Sequence, residues 1–162
     1  MKIAGIVAEY NPFHTGHAYQ IACTRAQLGE DCAVAAVMSG HWVQGGRPAI
    51  ADKWTRTRLA LLGGADLVLE LPTVWAASSA ETFARGAVGL LAAAQVVDVL
   101  SFGSECGDAD KLQRAAICLN SPEYEAGLRR LAEGGTPFAA ARQRAVEGLL
   151  GPELAGLLST PN

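Results

Sequence analysis

Four short strand-like runs, the first two without hydrophobic alternation, constrain the fold of this chain more than any other feature. They are Lys2 to Ala8, Ala33 to Met38, Asp66 to Leu71 and Val96 to Phe102. A strand with one wet face alternates apolar and polar residues, whereas a strand covered on both faces does not. Helical stretches follow the first three runs. The first spans roughly Gly16 to Leu28, with Ile21, Ala22 and Leu28 as its core stripe. The second, Lys53 to Leu62, opens at Asp52 as N-cap and stops at Gly63-Gly64. The third runs to about Ala94, with Ser78 as its cap and Glu81 at capping-box spacing. Strands and helices in this alternation predict an α/β fold, a parallel sheet wound with right-handed crossovers. Ligands of such sheets sit outside the carboxyl ends of the strands. Those ends are Glu9 to His17, Ser39 to Arg47, Leu71 to Ala76 and Gly103 to Glu105.

The first of these ends carries the most chemistry. Glu9-Tyr10-Asn11-Pro12-Phe13-His14-Thr15-Gly16-His17 joins a buried strand to a helix and holds two histidines three residues apart. Free N–H groups at a helix start attract anions, and the helix dipole adds to the effect. Gly16 lets a phosphate approach the backbone. Residues three apart share a helix face, so His14 and His17 can address one phosphoryl group. Imidazole donors there would stabilise the charge that builds during displacement at phosphorus. A solvated histidine pair, or a capping group plus a packed ring, fits the spacing too. A zinc pair would need further ligands, and His41 and the scattered cysteines have no recognisable spacing for them.

The string from Gly5 to His17 resembles the HxGH nucleotidyltransferase superfamily and, within it, the bacterial tRNA(Met) cytidine acetate ligase family. Further matches are Met38-Ser39-Gly40, Gln44, Pro48-Ala49-Ile50, Lys53-Trp54, Asp66 to Pro72, Ser79-Ala80-Glu81, Phe83 to Ala87, Phe102 to Glu105 and Pro161-Asn162. The resemblance implies a Rossmann-like nucleotide-binding core over residues 1–107. A helical extension of the same domain would follow over 108–162, with the family's C-terminal part beyond it. The implied activity is a ligase. ATP and acetate give acetyl-adenylate, and the acetyl group passes to N4 of the wobble cytidine of elongator tRNA(Met). Mg²⁺ would be held mainly through the triphosphate. Adenylyl or cytidylyl transfer to a small metabolite is the alternative chemistry, and a nucleotide-binding fragment inactive on its own is the alternative to both.

The resemblance also assigns residues. His14 and His17 would be catalytic. The nucleotide loop would be Val7, Ala8, Glu9, Tyr10, Asn11, Pro12, Phe13, His14, Thr15, Gly16, His17, Ala18, Tyr19 and Gln20. Gly103 would lie near adenosine, and Asn162 would join the nucleotide site. Lys53, Arg56 and Arg47 are candidate phosphate or tRNA contacts. Ser39, His41 and Gln44 are candidates for shaping the acetate or cytosine site. One loop departs from the family pattern: Gln-Arg-Gly-Glu-Pro is expected, and Gln44-Gly45-Gly46-Arg47-Pro48 is present. Arg47 would then have to do from two residues away what the family arginine does, and a guanidinium contact is directional.

Composition narrows the classes that remain. Half of the 162 residues are hydrophobic and 18% are charged, which suits a packed core and argues against disorder. A net charge of −3 argues against a broad basic surface, though not against a local patch. The four cysteines lack paired spacing, as expected of reduced thiols in a cytoplasmic protein. No apolar run reaches the ~20 residues that span a bilayer. From Asp108 the reading is helical: Asp110 to Leu119, Pro122 to Glu133, Pro137 to Leu150 and Pro152 to Leu158.

Overall fold

The computed structural model describes residues 1–157. They pack as two compact units, Met1–Phe102 and the segment from Gly103 onward. The first unit is built on a parallel sheet. Its strands are β1 (Ile3–Ala8), β2 (Ala33–Ser39), β5 (Leu67–Leu71) and β6 (Val99–Leu100), in the order β5-β2-β1-β6. Ile6 pairs with Ala36 across β1 and β2, and Ala36 with Val68 across β2 and β5.

Successive residues of β2 enter different cores, which is why the sequence shows no alternation. Ala36 and Met38 join Ile6, Tyr10 and Val34 on one face. There they meet Ile21 of α1 (Thr15–Leu28) and Ala60 of α2 (Lys53–Leu62). Val37 faces the other way, with Leu71, against Phe83, Ala87 and Leu91 of α4 (Ala80–Ala93). Helix α4 comes so close to the sheet that a Cβ on Gly5 would lie 2.8 Å from Leu91 Cδ1.

Several local expectations change. Ser39 to Ala49 is more than a loop: β3 (Trp42–Val43) and β4 (Arg47–Pro48) pair antiparallel around a 3₁₀ turn, Gln44–Gly46. Gly45 and Gly46 have φ of 74° and 71°, a conformation that glycine reaches without the Cβ clash of other residues. A short helix, α3 (Thr73–Ala76), follows Pro72. The cap of α4 is Ser79 rather than Ser78, because Ser79 accepts from the Thr82 N–H while Ser78 turns its hydroxyl back to the Val74 carbonyl. On α1 it is Thr24 that is buried, while Ala22 is exposed. The Thr24 hydroxyl bonds the Gln20 carbonyl and the Ser101 hydroxyl, which removes the cost of burying it.

The second unit is helical as expected. It comprises α5 (Ala109–Leu119), α6 (Pro122–Glu133), α7 (Phe138–Leu150) and α8 (Pro152–Gly156). Asp108 and Ser121 cap the first two, and Pro122 and Pro152 occupy first-turn positions where a missing N–H costs little. Cys118, Tyr124, Ala145, Val146 and Ala155 form its core. Among the described residues no helix is long and apolar enough to cross a membrane.

Candidate functional site

The turn after β1 brings His14 and His17 together as a stacked pair, with ring centroids 3.7 Å apart and planes at 29°. The stacking follows from how α1 begins. His14 is the N-cap, and its Nδ1 accepts the Gly16 N–H at 3.1 Å. His17 reaches back, and its Nδ1 accepts the His14 N–H at 3.2 Å. This is a capping box built from two imidazoles. An Nδ1 that accepts leaves the neutral ring's proton on Nε2. Both rings are therefore set as Nε2–H donors. Burial, and then the cost of a second positive charge beside His14, hold His17 below the ordinary histidine pKa, which favours that neutral form.

Two details of the sequence reading change here. The Gly16 N–H bonds His14 Nδ1, so the imidazoles replace part of the bare helix-start amide array. The glycine is needed for the ring: a Cβ on Gly16 would lie 2.9 Å from His14 Cε1.

Behind the pair, Tyr10 is 1% exposed and has φ of 45°, left-handed for an aromatic residue. Its ring meets Phe13 at 5.0 Å and His17 at 4.8 Å, both edge-on. The Tyr10 hydroxyl is buried without a hydrogen-bond partner among the described residues, and burial pushes its pKa up to about 12. Phe13 in turn lies over Gly63, where a Cβ would overlap its ring. Two bonds tie the turn to the segment after β2: the Gln44 N–H to Glu9 Oε1 at 2.7 Å, and the Ile50 N–H to Asn11 Oδ1 at 2.8 Å.

The other candidates separate clearly. Val7 and Ala8 pack on opposite faces of the sheet, in the α4-side and α1-side cores. Pro12, Thr15 and Tyr19 are exposed, Ala18 is half-buried, and the Gln20 amide donates to the Ser101 carbonyl. Lys53 is ion-paired with Glu70 at 2.6 Å and lies over the Trp54 ring. Arg47 is exposed on the rim of an open depression of about 590 Å³, lined also by Gln44, Gly45, Gly46, Ser78 and Ser79. His41 is exposed, whereas Ser39 is buried and its hydroxyl has no partner among the described residues. Gly103 is exposed at the start of the second unit, and Asn162 lies outside the described residues. No three of the His, Cys, Asp and Glu side chains among the described residues gather as a metal site.

Arg56 is a correction. It is not free to meet a phosphate or tRNA, because its side chain is fully buried. Its Nε donates to the Ala51 carbonyl, Nη1 to those of Glu9 and Tyr10, and Nη2 to those of Ser39 and Gly40. Placing Arg56 with Lys53 and Arg47 as a phosphate or tRNA contact missed this. The buried positions of α2 are Arg56 and Ala60, four residues apart, while Trp54 and Leu62 face outward, so the polarity pattern of the sequence did not mark the arginine.

The model of one protein family, HIGH Nucleotidyl Transferase, matches residues 1–162. The chain belongs to the HIGH nucleotidyl transferase family. Among relatives in this family, tRNA(Met) cytidine acetate ligase from Thermoanaerobacter sp. (strain X514) is 47% identical over 165 residues, covering 100% of this chain and 41% of that protein. The protein of the same name from Clostridium perfringens (strain ATCC 13124) is 48% identical over 148 residues, covering 90% of this chain and 37% of that one. Thermotoga maritima TmcAL bound with α-thio ATP is a structural neighbour at TM-score 0.88 and 41% identity, covering 99% of this chain and 40% of that one. Its apo form gives a TM-score of 0.89. The chain spans about two fifths of the length of the curated relatives it matches.

Proposed function

We propose that this chain is the nucleotide-activating part of an ATP-dependent tRNA(Met) cytidine acetate ligase. The observation that carries the reading is the imidazole capping box, which sets two Nε2–H donors side by side at the carboxyl end of a central parallel strand. Donors fixed in advance stabilise charge on a phosphoryl group without reorganising during the reaction. The names of the relatives, and the ATP analogue held by the neighbour of known structure, support the substrate assignment. In this reading His14 and His17 address the α-phosphate. An acetate oxygen attacks phosphorus in line, the bond to pyrophosphate breaks, and acetyl-adenylate forms. N4 of the wobble cytidine then attacks the acetyl carbon, and AMP leaves. Mg²⁺ would be held mainly through the triphosphate and would offset its charge. Such an enzyme works in the cytoplasm, where ATP and tRNA are. Arg47 is kept as the candidate contact to the RNA backbone.

Acetate-dependent pyrophosphate exchange by the full-length protein tests the proposal. Exchange that falls roughly 100-fold in His17→Ala is the expected result. Formation of a stable nucleotidylated metabolite without acetate or tRNA would instead assign metabolite nucleotidyl transfer. A second reading concerns the chain alone. Because it covers only about two fifths of its relatives, it binds ATP but does not turn over without the remainder.

A further inference from the structure

We infer that Arg56 is the positioning residue of the histidine turn: its guanidinium clamps the Glu9–Tyr10 backbone to the end of β2 and so holds His14 and His17 in their capped, stacked arrangement. Every hydrogen bond of this side chain goes to a main-chain carbonyl. It takes part in none of the ion pairs among the described residues. A buried cation costs several kcal/mol of desolvation in general, so one that persists needs a specific set of acceptors. The acceptors here belong to two strand ends, Glu9–Tyr10 after β1 and Ser39–Gly40 closing β2, and to Ala51 just before α2.

The path from clamp to histidines is short. Tyr10 occupies a backbone region that an aromatic residue enters only when its surroundings over-determine it. Arg56 holds the carbonyls on either side of that residue's Cα. The Tyr10 ring then supports the edge of His17, and His17 caps the His14 N–H. Lysine cannot copy this. Three donors on one ammonium do not span carbonyls that a planar fork reaches on two sides. A side chain that merely filled the core would act on the whole unit evenly, whereas a clamp acts on the turn first.

The test is ¹⁵N NMR of the imidazoles in the chain and in Arg56→Lys, with cooperative unfolding and the Leu91 methyl signals as evidence that the variant folds. The expected result is loss of the Nε2–H signature at His14 and His17, with hydrogen-exchange protection of the Gly16 amide falling roughly tenfold or more. In the full-length enzyme, kcat falls roughly 100-fold while KM for ATP rises by no more than about tenfold, as expected when reacting groups are misplaced. A folded Arg56→Lys variant with unchanged imidazole signals overturns the inference. Should that variant fail to fold, the wild-type chain still decides. Exchange of the Arg56 guanidinium and of the two imidazole N–H groups must follow one temperature dependence, and separate dependences overturn the clamp. The kcat expectation rests on the proposal that this turn meets the triphosphate. The imidazole signature needs no nucleotide, so the two can fail separately.

Discussion

The ends of β1 and β2 lie side by side in the sheet and are built in opposite ways. The segment after β1 is over-determined. It has a left-handed Tyr10 under a buried guanidinium, two histidines that cap one another's turn, and Phe13 seated on Gly63. The hairpin after β2 is open. Gly45 and Gly46 have nothing within 4 Å of where a Cβ would sit, and Arg47 reaches into solvent. Bonds from Gln44 and Ile50 join the two segments, so the open one is anchored to the rigid one. The difference teaches where precision is needed. Donors aimed at a phosphoryl group must not move, whereas a surface awaiting a large acceptor can stay accessible.

The sharpest way to break this comparison is to remove the clamp. Arg56→Met leaves several buried carbonyls without donors and should cost on the order of 4 kcal/mol or more, read as a lowered urea midpoint. A loss below about 1 kcal/mol would mean that the turn holds itself. Gly16→Ala comes next. The new methyl displaces the His14 ring and removes one cap, an expected loss of about 1 kcal/mol in urea unfolding. At the hairpin, Arg47→Ala should change stability by no more than about 0.5 kcal/mol, because the side chain has no partner to lose among the described residues. If Arg47→Ala proved costlier than Gly16→Ala, the contrast between the two segments would be inverted.

Acid sharpens the same contrast. The pKa of His17 is lowered in the folded chain, so the unfolded chain binds the extra proton first as pH falls. The stability this neutral ring contributes is fully present above the ordinary histidine value near 6.5. It is lost as pH drops through the lower, folded value. Protonated Nδ1 can no longer accept the His14 N–H, so the His14 amide should shift with the ring titration. Hairpin amides such as that of Gly46 should not follow it. A His17 titration midpoint at or above that of a free histidine would contradict the assignment.

The layout of the sheet was legible because β strands covered on two faces leave unbroken apolar runs, as β1 and β2 do, whereas the edge strand β5 carries the exposed Glu70 and was marked by Gly63-Gly64 before it and Pro72 after it. Strand β6 is shorter than its apolar run, with only Val99 and Leu100 pairing to β1. The histidine turn was legible as a motif, and the pairing of the rings followed from their spacing. Its wiring was not. Nothing in His-Thr-Gly-His says that each imidazole spends Nδ1 on the backbone, because capping depends on ring orientation. Arg56 was hidden for a related reason: periodicity ranks side chains by polarity, and an arginine whose partners are main-chain carbonyls has no partner visible in a sequence. The hairpin escaped because its strands are two residues long, too short for any pattern.

Calorimetric titration of the chain with ATP and Mg²⁺, beside His17→Ala and with CTP as a control, tests the central claim most directly. The account predicts saturable ATP binding that weakens about tenfold or more in the variant, equivalent to about 1.4 kcal/mol, with CTP bound less well. ATP affinity that is the same with and without the His17 imidazole would contradict it.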